Sequence, residues 1–337
     1  MDLLQKKIWN PDIRLAALRK EELVNLFMAA ALAGVFFLTF HYFGNSQEIH
    51  GAWGRSAFRW LTFRWSMGSV SLGNGDYSHG YLIPAFSLMV LWLKRHEIQR
   101  APKKAAPIFL LFIFGSLLLH YLGLKTQQTR ISLFGMIGLL WSIPGYFYGW
   151  KLAWLILFPC AFLIFGIPLE LFENMTLPLR FINTEVAVAA LQGLGIEVRQ
   201  VGTAIYGPPF DATAELKLDV ADACSGIRSI TAMTALAAGY GYLVMKTFWS
   251  KWLIFLSSIP LAMVGNMFRI IAIGIIAEAF GTDVAAGVIH DYSGFLVFGM
   301  AIALMVALST LLNRLDIHLL ARFSHRNPKC PTASASI

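Results

Sequence analysis

Apolar residues in this chain fall in long unbroken runs, set apart by short basic or polar segments. At a rise of 1.5 Å per residue, a helix of about twenty apolar residues crosses a bilayer. Runs of that kind cover residues 24–43, 106–124, 131–150, 226–245 and 293–312. Three further apolar segments depart from it. Segment 77–93 is short enough to be re-entrant rather than spanning, 152–167 contains Pro159 and stops at Pro168, and 252–280 is too long for one straight span. The pattern predicts an all-α polytopic membrane protein with about eight transmembrane helices.

The segments between the runs differ in character. Residues 53–65 place Arg55, Arg59 and Arg64 among Trp53, Phe58, Trp60, Phe63 and Trp65, which suits either a helix lying in the interface or a polar-aromatic loop. Residues 125–130 are so short that the spans on either side form a tight hairpin. One sizeable extracytoplasmic insertion, about 168–222, reads as a helix plus a β-ribbon. Helical spacing over 170–194 is interrupted by Pro178 and closed by Gly195. Residues 198–206 and 213–220 then form a two-stranded ribbon turned by Gly207-Pro208-Pro209. The domain division that follows is a cytoplasmic segment 1–23, one membrane-embedded domain 24–312, and a basic cytoplasmic tail 313–337.

Composition confirms the class. The 337 residues are 57% hydrophobic and 14% charged, with mean hydropathy +0.62. The formal charge of +8 is scattered at the ends of apolar runs, which fits lipid head groups as partners and gives nucleic acid no dense patch to bind. On the eight-span reading, 17 of the 27 lysines and arginines lie on the inner side, with Lys94, Arg95, Arg100, Lys103 and Lys104 forming the densest basic loop. Both termini are therefore predicted to be cytoplasmic. The first twenty residues are too charged for a signal peptide, so the first apolar run reads as an uncleaved helix. Cys160, Cys224 and Cys330 are far apart without metal-ligand spacing, so neither a disulfide framework nor a metal or other cofactor is expected.

Chemistry concentrates after the insertion, at Asp222-Ala223-Cys224-Ser225-Gly226-Ile227-Arg228-Ser229. Cys224 and Arg228 are four apart, one turn of a helix, and a cation or a helix N-terminus beside a thiol favours the nucleophilic thiolate. The alternative is a small residue packed between helices. The topology brings Arg269, inside the seventh apolar segment, and His290, before the eighth, to the same outer depth as Cys224. An ionisable residue within a span is a functional candidate because burial of an unpaired charge costs several kcal/mol. Arg269 also has a structural reading, pairing with Glu278 or reaching lipid head groups. Asn266, one turn before Arg269, orients the guanidinium or bridges two helices. His290 and His79 have structural readings too, His79 as a cap on the short second span.

Cys224 within its octapeptide, Asn266-Met267-Phe268-Arg269-Ile270, and His290 followed by Gly294 resemble the ordered signature of the exosortase/archaeosortase family. Tyr77-Ser78-His79-Gly80-Tyr81-Leu82-Ile83-Pro84 and the ribbon are similar to that family as well. Asp222 stands where the family more often has Glu. The resemblance implies a membrane-embedded cysteine protease and transpeptidase of the bacterial cytoplasmic membrane. Cys224, Arg269 and His290 would be catalytic, with Asp222, Ser225, Arg228, Asn266 and His79 in support. Its substrates would be secreted proteins with PEP-CTERM-like sorting signals, a short motif followed by a transmembrane helix and a basic cluster. They would be cleaved through an acyl-thioester at the outer surface.

Two other classes fit parts of the sequence. A transporter or channel would use Arg269 and His290 to line a polar path, although the two halves show no repeat of hydropathy and such a path has no need of a cysteine. A scaffold for other envelope proteins would need only the helices.

Overall fold

The computed structural model describes residues 20–45, 54–66, 77–168, 171–210, 216–219, 226–281 and 299–314. Its helices are α1 (Lys20–Tyr42), α2 (Ala57–Ser66), α3 (Leu82–Leu93), α4 (Arg95–Arg100), α5 (Phe109–Lys125), α6 (Thr129–Tyr148), α7 (Trp150–Phe162), α8 (Leu171–Gly193), α9 (Gly226–Val244), α10 (Phe248–Phe280) and α11 (Gly299–Arg314). Turns of 3₁₀-helix, Ser78–Tyr81 and Leu163–Gly166, precede α3 and follow α7. Each of the eight apolar segments read from the sequence overlaps one of these helices. Among the described residues α6 and α10 are each long and apolar enough by length and composition to cross a membrane, and the other apolar helices are shorter.

Local chemistry sets where the helices break. Gln127, in a left-handed conformation (φ 54°), turns the chain between α5 and α6. Gly149 (φ 82°) separates α6 from α7, and a Cβ there would lie 2.2 Å from the Lys104 carbonyl oxygen. Thr247 caps α10, its hydroxyl accepting from the Ser250 amide. The 53–65 stretch contains a helix, α2.

The chain forms two compact units, residues 1–63 with 102–153, and 64–101 with 154–337. The first is centred on the α5–α6 hairpin. Gly135 and Gly138 let α6 approach Ser116 and His120 of α5 too closely for any Cβ. His120 Nδ1 meets Ser132 Oγ at 2.8 Å, and that hydroxyl donates to the Gly44 carbonyl at 3.0 Å. Thr129 donates to the Asn45 side chain, which donates in turn to the Gly54 carbonyl. These buried polar groups are satisfied by side chains and backbone, as a low-dielectric interior favours.

The second unit is built along α10, a 33-residue helix that passes through Pro260. At 1.5 Å per residue it is about 50 Å long, well beyond the roughly 30 Å of a bilayer's hydrocarbon. Near its start Ile254 packs with Ala237 of α9, with Met245 just after that helix, and with Met305 and Leu312 of α11. Tyr240 and Ser309 join α9 to α11 by a 2.8 Å hydrogen bond. Lys94, from the basic loop expected to be cytoplasmic, and Lys251, in the first turn of α10, both lie over the Tyr242 ring, 5.1 and 5.4 Å from its centre. Further along, Ala262 packs with Met233 and Ala301. Its last third is covered by α8 and the sheet, where Ile270, Ile273 and Ala277 meet Ala187, Val188, Leu191, Val198, Ile205 and Leu216.

The insertion departs from expectation in two respects. Helix α8 runs unbroken through Pro178, because burial of the stripe from Asn183 to Leu191 outweighs the one amide that proline withholds. The ribbon has three strands, β1 (Arg199–Val201), β2 (Ala204–Tyr206) and β3 (Lys217–Asp219), in the order β1-β2-β3 and antiparallel throughout. Gly202 (φ 66°) reverses the chain inside what reads as one strand, pairing Val201 with Ala204. Gly195 does end α8. Its amide bonds to Gln192 and the Ile196 amide to Leu191, the two bonds of a Schellman cap.

Candidate functional site

The site is assembled by three helices of the second unit. Along α8 the buried positions Asn183, Thr184, Ala187, Val188 and Leu191 recur at three- and four-residue spacing, forming one stripe against α10. Gly274 sets how close the two helices come. A Cβ there would fall 2.8 Å from Leu191 Cδ1, and Leu191 is fully buried. The apolar end of the stripe is thereby fixed, and Arg180 stands at its other end.

There α8 and α10 enclose a cleft with the start of α9. Arg180 and Asn183 line it from α8, Ile230 from α9, and Ala262, Met263 and Asn266 from α10. The cavity is about 10 Å³, room for one water-sized group. Asn266 is 5% exposed and its amide nitrogen has no hydrogen-bond partner among the described residues. The same holds for Nε of the half-buried Arg180. Among the described residues these two buried donors have no acceptor, an arrangement that is costly in a native protein.

Arg269 is half-buried and sits three residues after Asn266 on the same face of α10. Glu278 is exposed and nine residues further along the helix. Nine residues are two and a half turns, so Glu278 points from the opposite face, and the helix geometry does not supply the intrahelical pair. Ile230 lies six residues past Cys224, so the cleft adjoins the end of α9 that the cysteine precedes. Arg228 is in the first turn of α9. Cys224, Asp222, Ser225 and His290 lie outside the described residues. Cys160 is the free cysteine among those described, buried within α7.

His79 belongs to the 3₁₀ turn that opens α3, half-buried with its ring 5.7 Å from that of Tyr77. The neighbouring glycine has a steric role, since a Cβ on Gly80 would lie 2.2 Å from Nε1 of Trp65. Trp65 packs over the turn and donates to the Gly166 carbonyl at 2.8 Å. The Trp65 indole therefore joins the Tyr77–Tyr81 segment to the 3₁₀ turn that follows α7.

Arg180 and Asn183 are site-lining residues that the sequence did not bring forward. Their segment reads as extramembrane, where a single arginine attracts no attention. A signal was present in the spacing, since Arg180, Asn183 and Thr184 continue the stripe of Ala187, Val188 and Leu191, placing polar groups on a face that is otherwise buried.

A family model described as transmembrane exosortase (Exosortase_EpsH) matches residues 65–307, well over half of the chain. That span includes Cys224, Arg269 and His290 as well as the Trp65 and Tyr77–Tyr81 packing. No curated protein and no solved structure matches.

Proposed function

Since the chain belongs to the transmembrane exosortase family, we propose that it is a membrane-embedded cysteine transpeptidase acting on secreted proteins that carry C-terminal sorting signals. The observation that carries this reading is the extent of the family match, which takes in a thiol, a guanidinium and an imidazole from three separate segments. In the bacterial cytoplasmic membrane the eight apolar helices cross as one catalytic domain, with both termini cytoplasmic and the insertion outside. The meeting of Lys94 and Lys251 at Tyr242 supports that orientation. Asn266 lies fifteen residues beyond Lys251 on α10, about 22 Å at helical rise, which is most of a bilayer.

The chemistry is nucleophilic acyl transfer. The Cys224 thiolate, favoured by Arg228 and the α9 N-terminus, adds to the scissile carbonyl of the sorting signal and forms a carbon–sulfur bond. Arg269 holds the resulting oxyanion, a part suited to a planar cation with several N–H donors. As the intermediate collapses the carbon–nitrogen bond breaks, the leaving amine takes a proton from the His290 imidazolium, and an acyl-thioester remains. An acceptor amine, or water, then attacks the thioester, returns a proton to His290 and releases the thiolate. Asp222, Ser225, Asn266 and His79 position these groups. The recognised signal is a short motif such as Pro-Glu-Pro, then an apolar helix, then a basic cluster.

The test is Cys224→Ala in cells that express a secreted protein bearing such a signal. Uncleaved precursor accumulates if the reading is right, and processing at the wild-type rate overturns it. Labelling of intact cells with a membrane-impermeant thiol reagent checks the side, since it reaches Cys224 only from outside.

A further inference from the structure

We propose that the lysine-bearing end of α10 holds the phosphate of an anionic phospholipid, clasped between the ammonium groups of Lys94 and Lys251 on one face of the Tyr242 ring. Three elements bring these groups together. Lys94 closes α3, Lys251 lies in the first turn of α10, and Tyr242 stands near the end of α9. The two Nζ atoms are 5.1 and 5.4 Å from the ring centre. The other face of the ring is taken, since Phe158 of α7 stacks on it with ring centres 3.6 Å apart and an interplanar angle of 0°. Both ammonium groups therefore stand on the face that Phe158 leaves open, so near each other that salt screens their repulsion only in part. Neither has a carboxylate partner among the described residues, Glu97 of α4 included. The ring face attracts a cation, but here one face serves two. Like charges held in this way call for an anion between them, and a phosphodiester, with two unesterified oxygens, accepts from both.

The level of the clasp identifies the source of the phosphate. Trp92 at the end of α3 and Trp249 at the start of α10 are 61% and 81% exposed. Exposed tryptophans at the ends of apolar helices mark the depth of lipid head groups, and under the proposed topology this is the inner leaflet. Arg95 is not part of the clasp, because its guanidinium lies 4.2 Å from the Trp92 ring and donates to the Trp92 carbonyl at 2.9 Å. A lipid bound here joins α3 to α10 and fixes the depth of the helix that carries Asn266 and Arg269. The site depends on the chain being a membrane protein and not on the transpeptidase reading.

The experiment titrates full-length protein in a neutral maltoside detergent with phosphatidylglycerol and, separately, with phosphatidylcholine of the same chains, and counts bound lipid by native mass spectrometry. Phosphatidylglycerol is expected to bind at least about tenfold more tightly, the effect of two basic groups at one head group. Lys94→Gln with Lys251→Gln is expected to bring the two lipids within about twofold. Lys94→Arg with Lys251→Arg keeps both charges and is expected to keep the preference, which separates loss of charge from loss of fold. Lys103→Gln with Lys104→Gln removes as much charge from the same basic stretch and is expected to leave the preference intact. Equal binding of the two lipids by the unsubstituted protein overturns the proposal. So does a preference that survives Lys94→Gln with Lys251→Gln, or one that is lost in either of the other two proteins. Release of the bound lipid by inorganic phosphate at the same concentration assigns the clasp to a free anion and overturns its lipid role.

Discussion

The indole Nε1 of Trp65 donates a 2.8 Å hydrogen bond to the carbonyl oxygen of Gly166, 101 positions later in the chain. The bond joins Trp65 to the 3₁₀ turn that follows α7, and Gly80 lies directly beneath the ring. Trp65→Phe keeps most of the packing but leaves the Gly166 carbonyl unsatisfied, a loss of about 1–3 kcal/mol. Gly80→Ala forces a methyl into the indole at a similar cost, about 1–3 kcal/mol. Each is expected to lower the thermal midpoint of detergent-solubilised protein by several degrees, and the double variant by less than the sum, because both changes act on one ring.

Gly274→Ala drives a methyl against Leu191, a side chain with no free space to move into. A destabilisation of about 1–3 kcal/mol is expected. It should be local: α8 and the sheet lift from α10 and become sensitive to protease, while α9 and α11 stay packed on the first half of α10. Limited proteolysis followed by mass spectrometry locates the cuts, and cleavage between α9 and α10 would contradict the packing described.

Arg269→Ala removes the proposed oxyanion partner and is expected to slow precursor cleavage by about 10² to 10³, the usual effect of losing one such donor. Arg269→Lys restores the charge without the planar fork, so partial recovery is expected rather than full activity. A time course of precursor disappearance separates the three proteins. Equal rates for arginine and alanine would remove Arg269 from the chemistry.

Asn266→Leu separates stability from function. A buried amide nitrogen with no partner contributes a desolvation cost, and replacing it with an apolar group of similar size is near neutral or stabilising. The thermal midpoint is expected to stay level or rise while cleavage falls, the trade-off typical of a residue kept for function. A fall in both would make Asn266 a packing residue.

Much of this arrangement is legible in the sequence because lipid imposes long apolar runs that leave little ambiguity about helices. The tight α5–α6 hairpin and the cap at Gly195 follow from run length, a short polar gap and a glycine at the right place, whereas the seventh segment, too long for one straight span, forms a single helix. Less legible is the insertion, where spacing competes with tertiary burial. Pro178 reads as a break, yet the stripe beyond it is buried deeply enough to keep the helix whole. Gly202 is masked by β-forming neighbours on both sides, so a hairpin passes for a single strand. Arg180 and Asn183 escape notice for a related reason: their meaning depends on which face of α8 meets α10, and no single-segment pattern states that.

Helix α10 has no break between its cap at Thr247 and its close at Gly281. Asn266, Arg269 and the seat for α8 at Gly274 are therefore graduations on one rigid ruler, whose zero is the lysine-bearing end. One inserted residue between Lys251 and Asn266 would raise all three by 1.5 Å and swing them by about 100° relative to the lysine-bearing end, while leaving every side chain present. Depth in the bilayer and chemical alignment are thus a single quantity for this protein, read off in helical turns.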